Sequence, residues 1–143
     1  MKLTSSAFTG GGAIPSRFTC DGPNVSPQLA WEDVPEGTEA FALIVRDPDA
    51  REFVHWLLSN IPGDLRELPE GQGDAIGTPG VNGFRATGWG GPCPPSGEHR
   101  YVFTLYALSA RLPAAGNLDE VLDGVERVSL GKAELTGAYQ RGG

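Results

Sequence analysis

Apolar residues come in short stretches bounded by glycine and proline along most of the chain. Phe41–Asp47 lies within an almost unbroken apolar run that Pro48 stops, and Phe53–Asn60 follows after a tight connection. Both have strand composition. In the second, simple alternation predicts His55, Leu57 and Ser59 on one face and Trp56 and Leu58 on the other. The most apolar stretch runs from His99 to Leu108, with Arg100–Leu108 read as a strand. Both of its alternating sets are apolar, which predicts a central strand covered on both faces. Lys132 to Tyr139 places Ala133, Leu135, Gly137 and Tyr139 on one face and reads as a final strand. Weaker patterns predict an edge strand within Lys2–Phe8 and a short strand over Gln28–Trp31, with Trp31 in the core. One helix is expected, beginning at Asn117 with a cap residue, acidic first-turn residues and apolar positions at helical spacing. From Ile61 to Gly83 no period is sustained, so this segment reads as a long loop along the flank of a pocket.

Composition sharpens this picture. With 143 residues, 39% hydrophobic, 21 glycines and 12 prolines, the chain suits one mainly β domain over residues 1–143, without staples. A formal charge of −7 disfavours nucleic acid and anionic membranes as partners. The first residues lack the apolar run of a signal peptide, and no stretch reaches transmembrane length, so a cytoplasmic protein is expected. Cys20 and Cys93 have no metal-type spacing and read as two ordinary thiols.

The candidate chemistry gathers around Gly88–Gly97, a Gly/Pro-rich loop that can be neither helix nor inner strand. His99 and Tyr101 follow it two residues apart and so project from one face beside it. Asp47, at the exit of its strand, is expected to meet His55 across the hairpin. Two buried histidines each satisfied by one hydrogen bond form the plain reading of this pattern. A metal site of His55, His99 and Asp47 has no HxH, HxD or HExxH spacing behind it and ranks below anion binding. For an anion the parts are present: backbone N–H groups of the glycine loop, imidazole, a tyrosine hydroxyl, and a carboxylate to hold an imidazole in its tautomer. Asp47 is expected to raise the pKa of whichever histidine it contacts, making anion binding stronger at low pH. Ser96 lacks the setting of a serine nucleophile. Cys93, on the rim near His99, is the better candidate for a reactive thiol, against the plainer reading of a partly buried cysteine.

Taken together, Asp47-Pro48-Asp49-Ala50, Val54-His55-Trp56, Asn60-Ile61-Pro62, Gly91-Pro92-Cys93-Pro94-Pro95-Ser96-Gly97 and His99-Arg100-Tyr101 resemble the phosphatidylethanolamine-binding protein family. Phe18-Thr19-Cys20-Asp21-Gly22, Leu29-Ala30-Trp31 and Ala133–Tyr139 are similar to its prokaryotic, Raf-kinase-inhibitor-like branch, so the resemblance covers nearly the whole chain. It implies a mainly β fold, a β-sandwich of two antiparallel sheets with one or two short peripheral helices near the C-terminus. It also implies a small anion pocket at one end, with Asp47, His55, Gly91, Cys93, His99 and Tyr101 as ligand-binding positions. Arg51 stands where the family commonly has proline, which suggests a more open mouth, and Glu98 adds a carboxylate close to the site.

The expectation is a non-enzymatic binding protein for a phosphate head group or carboxylate, with no cofactor or metal and no stable membrane association. A protein partner such as a kinase or protease, and a homodimer, are left open. The rivals are a weak hydrolase or lyase using the same His and Asp, and a protease or kinase inhibitor acting by protein docking.

Overall fold

The structure, a computed structural model, describes residues 1–142. Its strands are β1 (Lys2–Thr4), β2 (Leu29–Glu32), β3 (Ala40–Asp47), β4 (Phe53–Pro62), β5 (Glu67–Leu68), β6 (Thr78–Pro79), β7 (Glu98–Leu108) and β8 (Ser129–Gln140). The helices are α1 (Gly73–Ile76) and α2 (Leu118–Val128), with single 3₁₀ turns at Ser16–Phe18 and Pro48–Ala50. Two antiparallel sheets form, one in the order β1-β2-β5 and one in the order β6-β4-β3-β7-β8. The mainly β, two-sheet fold expected from the sequence is thus the one observed.

The period-2 arithmetic of the strands explains the layers. Phe41, Leu43 and Val45 of β3, with Tyr101, Phe103, Leu105 and Ala107 of β7, face Leu3, Leu29, Trp31 and Leu68 of the small sheet and close the main core. The alternate positions, Ala42 and Ile44 of β3 with Tyr106 and Leu108 of β7, form a second core on the far face of the large sheet. Val121 and Val125 of α2 cover it. That double covering makes β3 and β7 apolar on both sides, although β3, and not β7, is the middle strand.

α2 begins where its signals place it, and the Asn117 side chain accepts the Glu120 N–H at 2.9 Å as an N-cap. It is the one peripheral helix near the C-terminus, since α1 lies in mid-chain. The long loop expected from Ile61 to Gly83 resolves into β5, α1 and β6, elements of two to four residues that are too short to show a period. α1 is held by packing instead. A side chain at Gly73 would meet the Trp56 ring at 2.5 Å, so glycine there lets the turn close onto β4. No helix among the described residues is long and apolar enough to cross a membrane.

Candidate functional site

Asp47, His99 and Tyr101 arrive together because the end of β3 and the start of β7 lie side by side, with these residues on the main-core face. The Asp47 Oδ2 accepts from Nδ1 of His99 at 2.6 Å, and its Oδ1 accepts the Asp49 N–H at 2.8 Å. Pro48 supplies the fixed φ that starts the turn, which Asp47 caps with its own side chain. Asp49 then accepts from the Arg100 backbone N–H (2.8 Å), Nε (3.2 Å) and Nη2 (3.0 Å), clasping the turn to β7 next to His99. The Arg100 side chain, through these bonds, holds the Asp49 carboxyl down at about 2. Arg51 and Glu52 complete the turn with φ of 55° and 59°, and Arg51 is exposed, outside the cavity wall.

His55 reaches the same place by a different route, and not through Asp47. Along β4 the register passes from Val45↔Trp56 to Arg46↔Val54, leaving His55 as the extra residue of a β-bulge. The bulge breaks alternation: Val54 and Leu57, three apart, both pack on the α2 side. His55 is thereby turned to the main-core face, edge-on to Tyr101 with ring centroids 5.1 Å apart, and not to the face it would share with Leu57. The expected contact with Asp47 across the hairpin is absent because the bulge and the capped turn give that carboxylate to His99 instead. His55 donates through Nδ1 to the Gly90 carbonyl at 2.7 Å, and it also packs against Phe53 and Phe84. Burial pushes its imidazole below the usual histidine value, against the pull of the Gly90 carbonyl and the Asp47 charge. At neutral pH it is therefore a neutral ring with Nδ1–H on Gly90 and a lone pair at Nε2.

These residues enclose a cavity of about 180 Å³ lined by Asp47, His55, Cys93, His99 and Tyr101 with Ala50, Phe53, Phe84, Pro94 and Pro95. Tyr101 is 1% exposed, and its hydroxyl is buried with no hydrogen-bond partner among the described residues. Burial, then the charges of Asp47 and Asp49, pushes its pKa well above the usual tyrosine value, so it stays a protonated donor. Glu98 is exposed and does not line the cavity.

Gly91 stands elsewhere. Its N–H donates to Asn24 Oδ1 at 3.0 Å, so it is not free for a ligand, and the residue lines a neighbouring cavity. A Cβ at Gly91 would sit 2.2 Å from both the Phe18 carbonyl and Asn24 Oδ1, which is why the loop needs glycine there. Cys93 is not a thiol. It is bonded to Cys20, 73 residues earlier, with Cα atoms 5.5 Å apart, so both the ordinary-thiol reading and the reactive-thiol reading of Cys93 are overturned. Spacing could not reveal the pairing, because the two cysteines meet only when the segment after the first 3₁₀ turn docks against Pro92, whose carbonyl accepts the Cys20 N–H. Phe53, Phe84 and the anchor Asn24 also escaped sequence reasoning, since aromatics at core-like spacing and a turn asparagine carry no chemical signal of their own.

A model of the family described as phosphatidylethanolamine-binding protein matches residues 4–140. The chain belongs to the phosphatidylethanolamine-binding protein family. A protein of Methanothermobacter thermautotrophicus named UPF0098 protein is 46% identical over 152 residues, covering 99% of this chain and 100% of that one. UPF0098 protein YbcL of Escherichia coli is 38% identical, covering 96% of this chain and 79% of that one. Among solved structures, the homologue from Chlamydia trachomatis superposes with a TM-score of 0.92 at 34% identity, covering 99% of this chain and 97% of the other. The crystal structure of YbcL, described as a new member of the mammalian family, gives 0.89 at 32%, with 99% and 98% covered. Family membership makes this chain a binding protein whose specific ligand the relatives' names do not state.

Proposed function

We propose that the chain is a non-enzymatic binding protein whose cavity takes a small anionic group, a phosphate head group or a carboxylate. The observation that carries this reading is the buried, unpartnered Tyr101 hydroxyl in a cavity whose other polar wall is a histidine already oriented by Asp47. Buried donors without partners are rare and ask for an acceptor. His99, with Nδ1 on Asp47, has Nε2 left to donate, and it does so only when the ring is protonated. Protonation also neutralises Asp47, whose charge would otherwise repel the ligand. Neutral His55 can accept the proton of a monoprotonated phosphate at Nε2. Cys93, the only sulfur in the wall, is tied up in the disulfide, which removes the thiol nucleophile from the cavity. That favours binding over the hydrolase or lyase alternative.

Calorimetric titration with inorganic phosphate from pH 5 to 9 tests the reading. Affinity falls as pH rises through the range where imidazoles lose their proton. His99→Ala loses about 1.5–3 kcal/mol at the acid end, the contribution of a charge-assisted hydrogen bond. A flat profile, or tighter binding at high pH, refutes the role of the histidine. A disulfide persists most often in oxidising compartments and in intracellular proteins of hyperthermophiles.

A further inference from the structure

On the other side of Phe84 and Cys93 lies a second cavity of about 270 Å³, lined by Cys20, Asn24, Asn82, Phe84, Ala86, Trp89, Gly90, Gly91 and Cys93. The two cavities share Phe84 and Cys93 as a common wall. The wall is fixed. Asn82, 6% exposed, accepts the Phe84 N–H at 2.8 Å and the Ala86 N–H at 3.3 Å and donates to the Gly88 carbonyl at 2.8 Å. Its own N–H closes the turn on the Ala86 carbonyl. The turn presents Phe84, 49% exposed, with its ring edge-on to Phe53 at 4.8 Å. A half-exposed phenylalanine on a rigid turn between two cavities is an apolar surface kept in place without a core to fill.

The second cavity carries its own orphan. Trp31 donates its indole N–H to the Leu65 carbonyl and Trp56 donates to Asp74, but the Trp89 Nε1 is buried with no partner among the described residues. Asn82 has spent its hydrogen bonds within the turn and Asn24 has spent its oxygen on Gly91. The lining therefore includes two aromatic side chains, Phe84 and Trp89, and no charged side chain, and the Trp89 ring is fixed edge-on to Trp56 at 5.2 Å. That set suits a flat ring, which stacks on aromatic side chains. Size agrees, because a cavity of about 150 Å³ holds a benzene, and this one is larger.

We propose that the second cavity is a compartment for a planar aromatic group on the same ligand whose anionic group occupies the Asp47–His99 cavity, so that the ligand class is an aryl phosphate or an aromatic acid that straddles Phe84. This rests on the anion pocket proposed above. The anion supplies the acceptor for Tyr101 and His99, and the ring covers Phe84 and Trp89.

The experiment compares inorganic phosphate, phenyl phosphate, hexyl phosphate and phenol as probes at acid pH, on the parent and on Ala86→Trp. Ala86 is exposed and lines only the second cavity, and its hydrogen bonds in the turn use the backbone, so tryptophan there fills the compartment without touching the anion pocket. Phenyl phosphate binds the parent at least about tenfold more tightly than inorganic phosphate. Ala86→Trp abolishes that gain and leaves inorganic phosphate unchanged. The Trp89 indole N–H resonance, assigned with Trp89→Phe, moves with phenyl phosphate and not with inorganic phosphate. Phosphate binding with no gain for phenyl phosphate overturns the compartment and leaves the anion pocket standing. A gain that survives Ala86→Trp does the same. Hexyl phosphate matching phenyl phosphate overturns the aromatic assignment. If none of the phosphates binds, or if phenol alone binds as tightly as phenyl phosphate, the anion pocket and the proposal fall together.

Discussion

Breaking the bridge between Cys20 and Cys93 is expected to lower stability by about 3–4 kcal/mol. The two residues are 73 apart in sequence, and closing a loop of that length in the unfolded chain costs about 4 kcal/mol of entropy at 25 °C on a chain-entropy account. Residual compactness of the unfolded chain trims this figure. The native state loses little when the bridge opens, because the same two segments stay joined by the Cys20 N–H on the Pro92 carbonyl and the Gly91 N–H on Asn24. At about 2.1 cal/mol/K of unfolding entropy per residue, a chain of 143 residues converts the loss into a Tm lower by about 10–13 °C. Thermal melts followed by circular dichroism, with and without a phosphine reductant, give the shift directly, and mass spectrometry confirms that the bridge is open. Cys20→Ser/Cys93→Ser reproduces the reduced Tm and no longer responds to reductant. A shift below about 3 °C with the bridge quantitatively open would refute the argument, because the loop would then be closed in the unfolded chain by something else.

Two further expectations concern the site. Gly91→Ala costs at least about 2 kcal/mol and weakens phosphate binding, because its Cβ would meet the Phe18 carbonyl and Asn24 Oδ1, each 2.2 Å away, and must push the loop off its anchor; denaturant melts with the parent m-value would measure it, and a near-neutral result would show that the loop yields. His55, with its folded pKa below the unfolded value of about 6.5, contributes stability that is present above that value and is lost as pH falls toward the folded pKa. The parent therefore loses stability relative to His55→Gln between pH 7 and 5, and a gap between the two that stays constant or widens in the parent's favour contradicts the burial argument.

The long strands were legible because their apolar runs are bounded by proline and glycine, and α2 because its cap and its periodicity agree. What periodicity could not supply was the failure of periodicity. The bulge at His55 adds one residue to β4 and reverses the facing of everything on its N-terminal side, and no residue type in Val54-His55-Trp56 announces it. The sequence therefore brought both histidines to one cavity but gave Asp47 the wrong partner. The short elements between Leu65 and Pro79 were invisible for a related reason: they are held by contacts to Trp56, Leu58 and Trp31, not by local preference. The disulfide likewise depends on two segments 73 residues apart docking on each other.

The loop of the site is fastened from every side, and this bears on what kind of ligand it can take. Asp74 accepts both the Trp56 indole N–H at 2.7 Å and the Trp89 backbone N–H at 3.1 Å, His55 holds Gly90, Asn24 holds Gly91, and Cys20 holds Cys93. Five consecutive residues from Trp89 to Cys93 thus have four anchors, drawn from the N-terminal third, from β4 and from α1, with Pro92 fixed between them by its own ring. Such a loop is shaped by the completed fold before any ligand arrives, so binding pays little to order it. The same rigidity forbids it to follow a ligand's outline, so that selectivity must come from fixed volumes and fixed donors. Two histidines in one wall with different partners fit that logic. His55 is kept neutral by burial and holds the loop through Gly90, whereas His99 is held from outside the loop by Asp47.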